Sequence, residues 1–298
     1  SVFVQQQGTF CDFSGGDSWV ILSPIEQSIK RKIEAVGTPL KDWDIQINYG
    51  IKTGYNEAFI ISTKKRDEIL ANCKTEDERK RTEELIRPIL RGRDIKRYGY
   101  EWANLWLINT HNGIKGKLER IHIEDYPAVK AHLDQFWDKI KGRADQGDTP
   151  YNLRNCAYLE DFSKPKIVWG EISDRSKFAY DANRNFIPEA TTFLMSGQNL
   201  PYLLCVLNSP FTEWFFSKLG TTTGVGTVRW KKYTIGELLI PNAERYIVKQ
   251  IGCLVKKYMV DECSVEDLSS QTNRLLYKAI GLSEEEISYV ESYYPPLL

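Results

Sequence analysis

Ile86-Arg87-Pro88-Ile89-Leu90-Arg91-Gly92-Arg93-Asp94-Ile95-Lys96-Arg97-Tyr98 sets five cations (Arg87, Arg91, Arg93, Lys96 and Arg97) against a single acid, Asp94. The chain as a whole is balanced, with Lys+Arg 40 and Asp+Glu 40, so this is a local concentration of charge. Pro88 restricts the residue before it, and Gly92 offers a turn between two arginines. The apolar residues Ile86, Ile89, Leu90 and Ile95 are spaced to anchor the segment in a core while the cations stay outside. A rigid, anchored array of guanidinium groups suits phosphate oxygens or the acceptor edge of guanine. The run also fits a solvated basic loop with local ion pairs.

The 298 residues suffice for a buried core and suggest two substructures. No apolar run approaches the roughly 20 residues of a membrane span, so no membrane partner is expected. The six cysteines are scattered without a Cys-x-x-Cys pair. They suit free thiols in a reducing cytoplasm better than a disulfide or zinc framework, and a cytoplasmic location is expected. Neutral net charge does not argue against nucleic acid, because a basic face is what matters. The chain begins at Ser1 without an initiator Met, which raises the expectation of a longer polypeptide.

Outward from the basic segment, Ser23-Pro24-Ile25-Glu26 reads as a capping box opening a helix that ends at Gly37. Asp44 to Asn48 alternates like a strand, and Glu57 to Ile61 reads as the next one. These predict a hairpin-like unit with Lys52, Thr53 and Asn56 near its tip. Thr63 to Asn72 and Thr75 to Leu85 read as helices, the second with a capping box of Thr75 and Glu78. A strand over Asn104 to Ile108 follows. Pro127 opens a helix carrying Val129, Leu133, Phe136, Trp137 and Ile140 at core spacing. Short strands follow at Lys166 to Trp169, Phe178 to Tyr180 and Thr191 to Met195, joined by polar loops. Gly220 to Thr227 reads as a flexible loop leading to Arg229, Lys231 and Lys232. Three helices fill Glu244 to Ser292.

Several chemistries lack their residues. The Glu-x-Lys of a metal-dependent nuclease occurs only as Glu78-Arg79-Lys80, in a run that reads as an exposed helix. An adenine methyltransferase needs Asn/Asp-Pro-Pro-aromatic, whereas Pro295-Pro296 follows Tyr294. His111, His122 and His132 have no metal-ligand spacing, and Gly220 to Gly226 lacks the Gly-Lys-Ser/Thr ending of a phosphate loop. No catalytic or metal-ligating residue is assigned.

Five stretches, in this order and spacing, resemble a known family. They are Gly50-Ile51-Lys52-Thr53-Gly54-Tyr55-Asn56-Glu57-Ala58-Phe59-Ile60, the basic segment Ile86–Tyr98, Lys164 to Asp181, Tyr202 to Pro210, and Leu239-Ile240-Pro241. Together they resemble the TaqI-like C-terminal specificity domain, the target recognition domain of type IIG restriction–modification enzymes and related adenine-specific DNA methyltransferases. The resemblance implies an α+β fold: a mixed or antiparallel sheet with inserted helices, then a C-terminal helical tail. It implies a connector at 1–43, a recognition domain at 44–242 with lobes at 44–150 and 151–242, and a helical region at 243–298. It also implies sequence-specific recognition of double-stranded DNA by a monomeric chain with no catalysis of its own. Nuclease and methyltransferase domains of the same polypeptide would hold S-adenosylmethionine and a divalent metal, and this chain would take no cofactor.

Within that expectation, Arg91, Arg93, Lys96, Arg97, Arg229, Lys231 and Lys232 are candidates for phosphate contact. Arg175, Asn183, Arg184 and Asn185, then Lys52, Thr53 and Asn56, are candidates for reading bases, with Arg suited to guanine and Asn to adenine. Each has a structural alternative. Arg175 has Asp174 or Glu171 as a neighbouring acid, Asn183 and Asn185 fit plain turns, and Arg91 or Arg93 can turn inward as an ion-pair partner. A self-contained hydrolase and a protein-interaction scaffold are the competing classes.

Overall fold

The computed structural model describes residues 22–219 and 228–293. The chain forms two compact units. One, here the sheet unit, comprises Ile45–Ser173 and Lys177–Leu200; the other, the helical unit, comprises Ser1–Asp44, Asp174–Ser176 and Pro201–Leu298. The expected connector and the C-terminal helices therefore share a unit. The architecture is α+β with mixed pairing and a helical C-terminal stretch, as expected.

The sheet unit holds two four-stranded sheets. In the first, Ile45–Tyr49, Thr192–Gly197, Lys166–Gly170 and Phe178–Asp181 lie side by side in that order, all antiparallel. In the second the order is Ile60–Ser62, Leu105–Ile108, Ile86–Leu90 and Ile187–Pro188, with the last pair parallel. Pro88 has no N–H to give, and the parallel partner engages only from Ile89 onward. The anchors of the basic segment are in place: Ile86, Ile89, Leu90 and Ile95 are buried in the core of this unit.

Four local expectations change. The strand expected over Glu57 to Ile61 begins as a short helix, Asn56–Phe59, and becomes extended only at Ile60–Ser62. Its partner is Leu105–Ile108, while Ile45–Tyr49 pairs with Thr192–Gly197, so no hairpin forms. The helix opened by Pro127 breaks after Asp134 and resumes at Trp137–Ile140. Val129, Leu133 and Ile140 are core, whereas Trp137 is 40% exposed. Of the second capping box, only the Thr75 half is made. The Glu78 carboxylate instead accepts the amides of Lys74, at 2.8 Å, and Ala128, at 3.0 Å, tying two helix starts together.

In the helical unit, Pro24–Val36 begins with the expected capping box: Ser23 Oγ accepts the Glu26 amide and Glu26 accepts the Ser23 amide. Gly37–Pro39 pairs antiparallel with Leu239–Pro241. Helices Arg245–Met259, Val265–Ile280 and Glu284–Tyr293 follow, the first burying Ile247, Ile251 and Val255. Gly281 stops the second helix at φ +77°, a left-handed conformation that favours glycine. No described helix is long and apolar enough to cross a membrane.

Two carboxylates lock this unit. Glu26 accepts from Lys218 Nζ at 2.6 Å and from the Tyr289 hydroxyl at 2.9 Å. Glu286 accepts from Lys32 Nζ at 2.6 Å and Ser28 Oγ at 2.7 Å. Burial pushes both carboxyls up, but these donors outweigh it and hold each down to about 2. A carboxyl whose pKa is lower in the folded state stabilises the fold above its unfolded value, near 4.5, and the contribution fades as pH falls toward 2. Each should contribute roughly 3 kcal/mol at neutral pH. Acid titration should therefore unfold the helical unit between pH 4.5 and 2, and Glu286→Gln should make its stability less pH-dependent in that window; an unchanged acid profile would contradict this.

Candidate functional site

Three stretches far apart in sequence meet in the sheet unit. The Gly50 amide donates to Thr192 O at 2.9 Å and the Ile51 amide to Pro188 O at 2.7 Å. The Glu189 amide donates to Leu90 O at 2.8 Å, and the Tyr98 amide to Phe178 O at 2.9 Å. Gly50 is required, because a Cβ there would stand 2.0 Å from Glu189 O. The glycine-punctuated loop, the basic segment and the loops flanking Phe178–Asp181 are thus one constellation.

The basic segment leaves its strand at Leu90 and makes a short 3-10 turn, Gly92–Asp94. Arg91 turns inward. Its Nε and terminal nitrogen donate to the two Asp94 oxygens at 3.0 and 2.7 Å, and its amide donates to the same carboxylate at 2.9 Å. Burial raises the Asp94 carboxyl, but the Arg91 side chain and amide outweigh it and hold it low. Arg93 is exposed and makes no ion pair with a described residue. Lys96 is exposed beside Glu101, at 3.4 Å, a contact worth little in water. The Arg97 guanidinium lies over the Tyr98 ring at 5.4 Å.

Asn183, Arg184 and Asn185 form an exposed turn between the strands Phe178–Asp181 and Ile187–Pro188. Arg184 has φ +62°, a conformation that a residue with a side chain keeps only where its surroundings hold it. Asp181 supplies part of that hold. Its two oxygens accept the amides of Asn185, at 3.1 Å, and Phe186, at 2.9 Å. Asp181 is buried and paired with an equally buried cation, Lys166 Nζ, at 2.7 Å. Lys166 also donates to Phe162 O at 2.9 Å, and its burial pulls the ammonium below the usual lysine range.

In the glycine-punctuated loop, Lys52 is exposed and lies 3.3 Å from Asp145, which also holds Arg154 at 3.1 Å. Thr53 is buried; its hydroxyl donates to Asn56 Oδ1 at 2.5 Å and accepts the Tyr55 amide. Asn56 is exposed at the start of its short helix. The loop is held from beneath by Arg143, which donates to the carbonyls of Thr53, Ile140, Pro150 and Asn152. Its guanidinium stacks over Phe59 at 4.5 Å, and burial brings its pKa down to about 10.

The remaining candidates belong to the helical unit. Arg175 forks onto Glu213, with Nε at 3.1 Å and a terminal nitrogen at 2.8 Å, and the Ser176 amide and hydroxyl join the same carboxylate at 2.9 Å. Arg229 and Lys231 are exposed and Lys232 is half-buried. Between them, Trp230 is buried and stacked on Phe216 at 4.1 Å. Tyr233 beside them is 80% exposed. The loop expected over Gly220 to Thr227 lies outside the described residues.

Residue-by-residue reading missed the supports of this site. Lys166, Asp181 and Arg143 sit in a strand, at a strand end and in a polar loop, and their partners lie 15, 15 and up to 90 residues away. The one available signal was a lysine opening a run, Lys166-Ile167-Val168-Trp169, that is buried throughout. Among the described residues, no three of His, Cys, Asp and Glu gather as a metal site.

Residues 87–240 match the family described as the TaqI-like C-terminal specificity domain. The chain is similar to the type II methyltransferase M.PaeR7I of Pseudomonas aeruginosa, at 21% identity over 92% of this chain and 45% of that protein. Its fold is similar to that of the type IIL restriction–modification enzyme MmeI, solved in complex with DNA, with a TM-score of 0.54 and 14% identity over 88% of this chain and 34% of that one. The chain thus spans less than half the length of the curated relative it matches. With more than half of its residues matched to the family, the chain belongs to the TaqI-like C-terminal specificity domains.

Proposed function

We propose that this chain reads double-stranded DNA sequence-specifically as the specificity part of a restriction–modification enzyme of type IIG, without catalysis of its own. The observation that carries the reading is the exposed Asn183-Arg184-Asn185 turn, rooted in a buried ion pair and built into the same sheet system as the exposed cations Arg93 and Lys96. A supported turn bearing two amides and one guanidinium has the donors and acceptors that distinguish adenine and guanine in the major groove. Arg93, Lys96 and Arg97 in the sheet unit, and Arg229, Lys231 and Lys232 in the helical unit, supply phosphate contacts. Lys52 and Asn56 are further contacts at the exposed loop. Arg91, Arg175 and Thr53 act in this reading through the backbone and side chains that they hold.

Methyl transfer and cleavage, with S-adenosylmethionine and a divalent ion, belong in this reading to other parts of a monomeric cytoplasmic polypeptide. Family membership and the spacing of the motifs favour it over a self-contained hydrolase or a scaffold. Two variants test it. Arg93→Ala should weaken binding to all duplexes and flatten the plot of log affinity against log salt by about 0.9. Arg184→Ala should lose about 1–3 kcal/mol of discrimination at one base position of the selected site. If Arg184→Ala selects the same sites as the parent with equal stringency, the turn does not read bases.

A further inference from the structure

The backbone of the Asn183–Asn185 turn is gripped through both of its polar sets. The N–H groups of Asn185 and Phe186 go to Asp181. The carbonyls of Arg184 and Asn185 accept from one terminal nitrogen of Arg87, at 3.3 and 3.4 Å. The turn is then pinned at its exit. Phe186 is buried against Tyr100, with ring centroids 4.7 Å apart, and Trp102, at 5.8 Å, and Ile187–Pro188 pairs with Ile89–Leu90. None of these holds uses a side chain of the turn. Among the described residues, the side chains of Asn183, Arg184 and Asn185 make no hydrogen bond or ion pair.

We infer that Arg87 and Asp181 are positioning residues of the recognition turn, setting the sequence preference without touching a base. The inference rests on the turn being the base-reading element proposed above. Bidentate contact with a base edge tolerates little displacement, and a turn already ordered does not lose that freedom on binding. Arg87 therefore differs in role from Arg93, although both belong to one basic run. Arg93 faces solvent, whereas Arg87 spends its guanidinium on the turn's carbonyls. Lys166 is the counter-charge that fixes Asp181 where it meets the amides.

The test uses Arg87→Met, which keeps the apolar stem and leaves no buried charge behind, beside the triple variant Asn183→Ala/Arg184→Ala/Asn185→Ala. Hydrogen exchange of the Asn185 and Phe186 amides in DNA-free protein should speed up at least tenfold in Arg87→Met with little change in the melting temperature. Selection from a randomised duplex pool should show preference for the selected site over the pool falling at least tenfold. Affinity for the unselected pool should fall less than threefold, with an unchanged salt slope. Unchanged exchange and preference in a folded Arg87→Met overturns the inference. So does a loss of pool affinity that matches the loss of preference, because it would make Arg87 an ordinary phosphate contact. If the triple variant abolishes preference while Arg87→Met keeps it, the positioning role alone fails; if the triple variant keeps it, the base-reading assignment fails first.

Discussion

Asp181→Ala is expected to destabilise the sheet unit by about 3–5 kcal/mol, the cost of leaving one charge of a buried pair without its partner. Lys166 and Asp181 are 0% and 1% exposed as side chains, so neither can recover its hydration. Removing the carboxylate strands the Lys166 ammonium, which keeps only backbone carbonyls, and frees two amide donors in the turn. Asp181→Asn should cost nearly as much, because the amide keeps an acceptor and loses the charge. The double variant Lys166→Met/Asp181→Leu should recover much of the loss, since it removes both charges, yet stay below the parent by about 1–3 kcal/mol because the turn amides remain unpartnered. Urea midpoints for the parent, Lys166→Met, Asp181→Leu and their double variant give the coupling directly. A single-variant loss below about 1 kcal/mol would show that the pair is solvated and does not anchor the turn.

Arg143→Met should be the next most damaging change, at about 3 kcal/mol or more. The guanidinium serves four backbone carbonyls, and among the described residues no carboxylate hydrogen-bonds to it. Its replacement leaves those carbonyls buried without donors and removes the stack on Phe59. For a unit of this size the melting temperature should drop by about 6–12 °C. Arg143→Lys should recover little, because one ammonium has three donors and no planar fork. The damage should be local: proteolysis or hydrogen exchange should report loosening at residues 50–56 and 140–153, which Arg143 ties together, before the rest of the unit opens. Uniform loosening would argue that Arg143 supports the core in general.

Much of the fold was legible because its signals are local. Ser23 with Glu26 at the start of the first helix and Gly37 at its end are readable within a few residues. The strand sequences were legible for the same reason, and their pairing was not. Ile45–Tyr49 and Ile60–Ser62 follow one another along the chain yet join different sheets, because their partners arrive more than forty residues later. Glu57–Phe59 reads as the start of a strand by its apolar content, but the Thr53–Asn56 contact and the Tyr55 carbonyl bond to Ala58 favour a helical turn.

The candidate site divides in the same way. The exposed members, such as Arg93 and Arg184, could be picked by residue type and loop position. Arg91 and Arg175 have the same chemistry; the inward fork of Arg91 reaches an acid three residues on, within the same run, whereas the fork of Arg175 onto Glu213, 38 residues away, follows from tertiary placement, which no local pattern encodes. The supports were least visible, since a buried lysine or arginine is recognised only once its distant partners are known.

The most direct test of the central claim is fluorescence anisotropy of the chain with a labelled random-sequence duplex, at low and at moderate salt, followed by sequencing of the retained pool. Binding at low salt is expected, with log affinity falling linearly with log salt at a slope set by several phosphate contacts, and with a common sequence in the retained pool. No affinity at low salt, or an affinity indifferent to both salt and sequence, would contradict it.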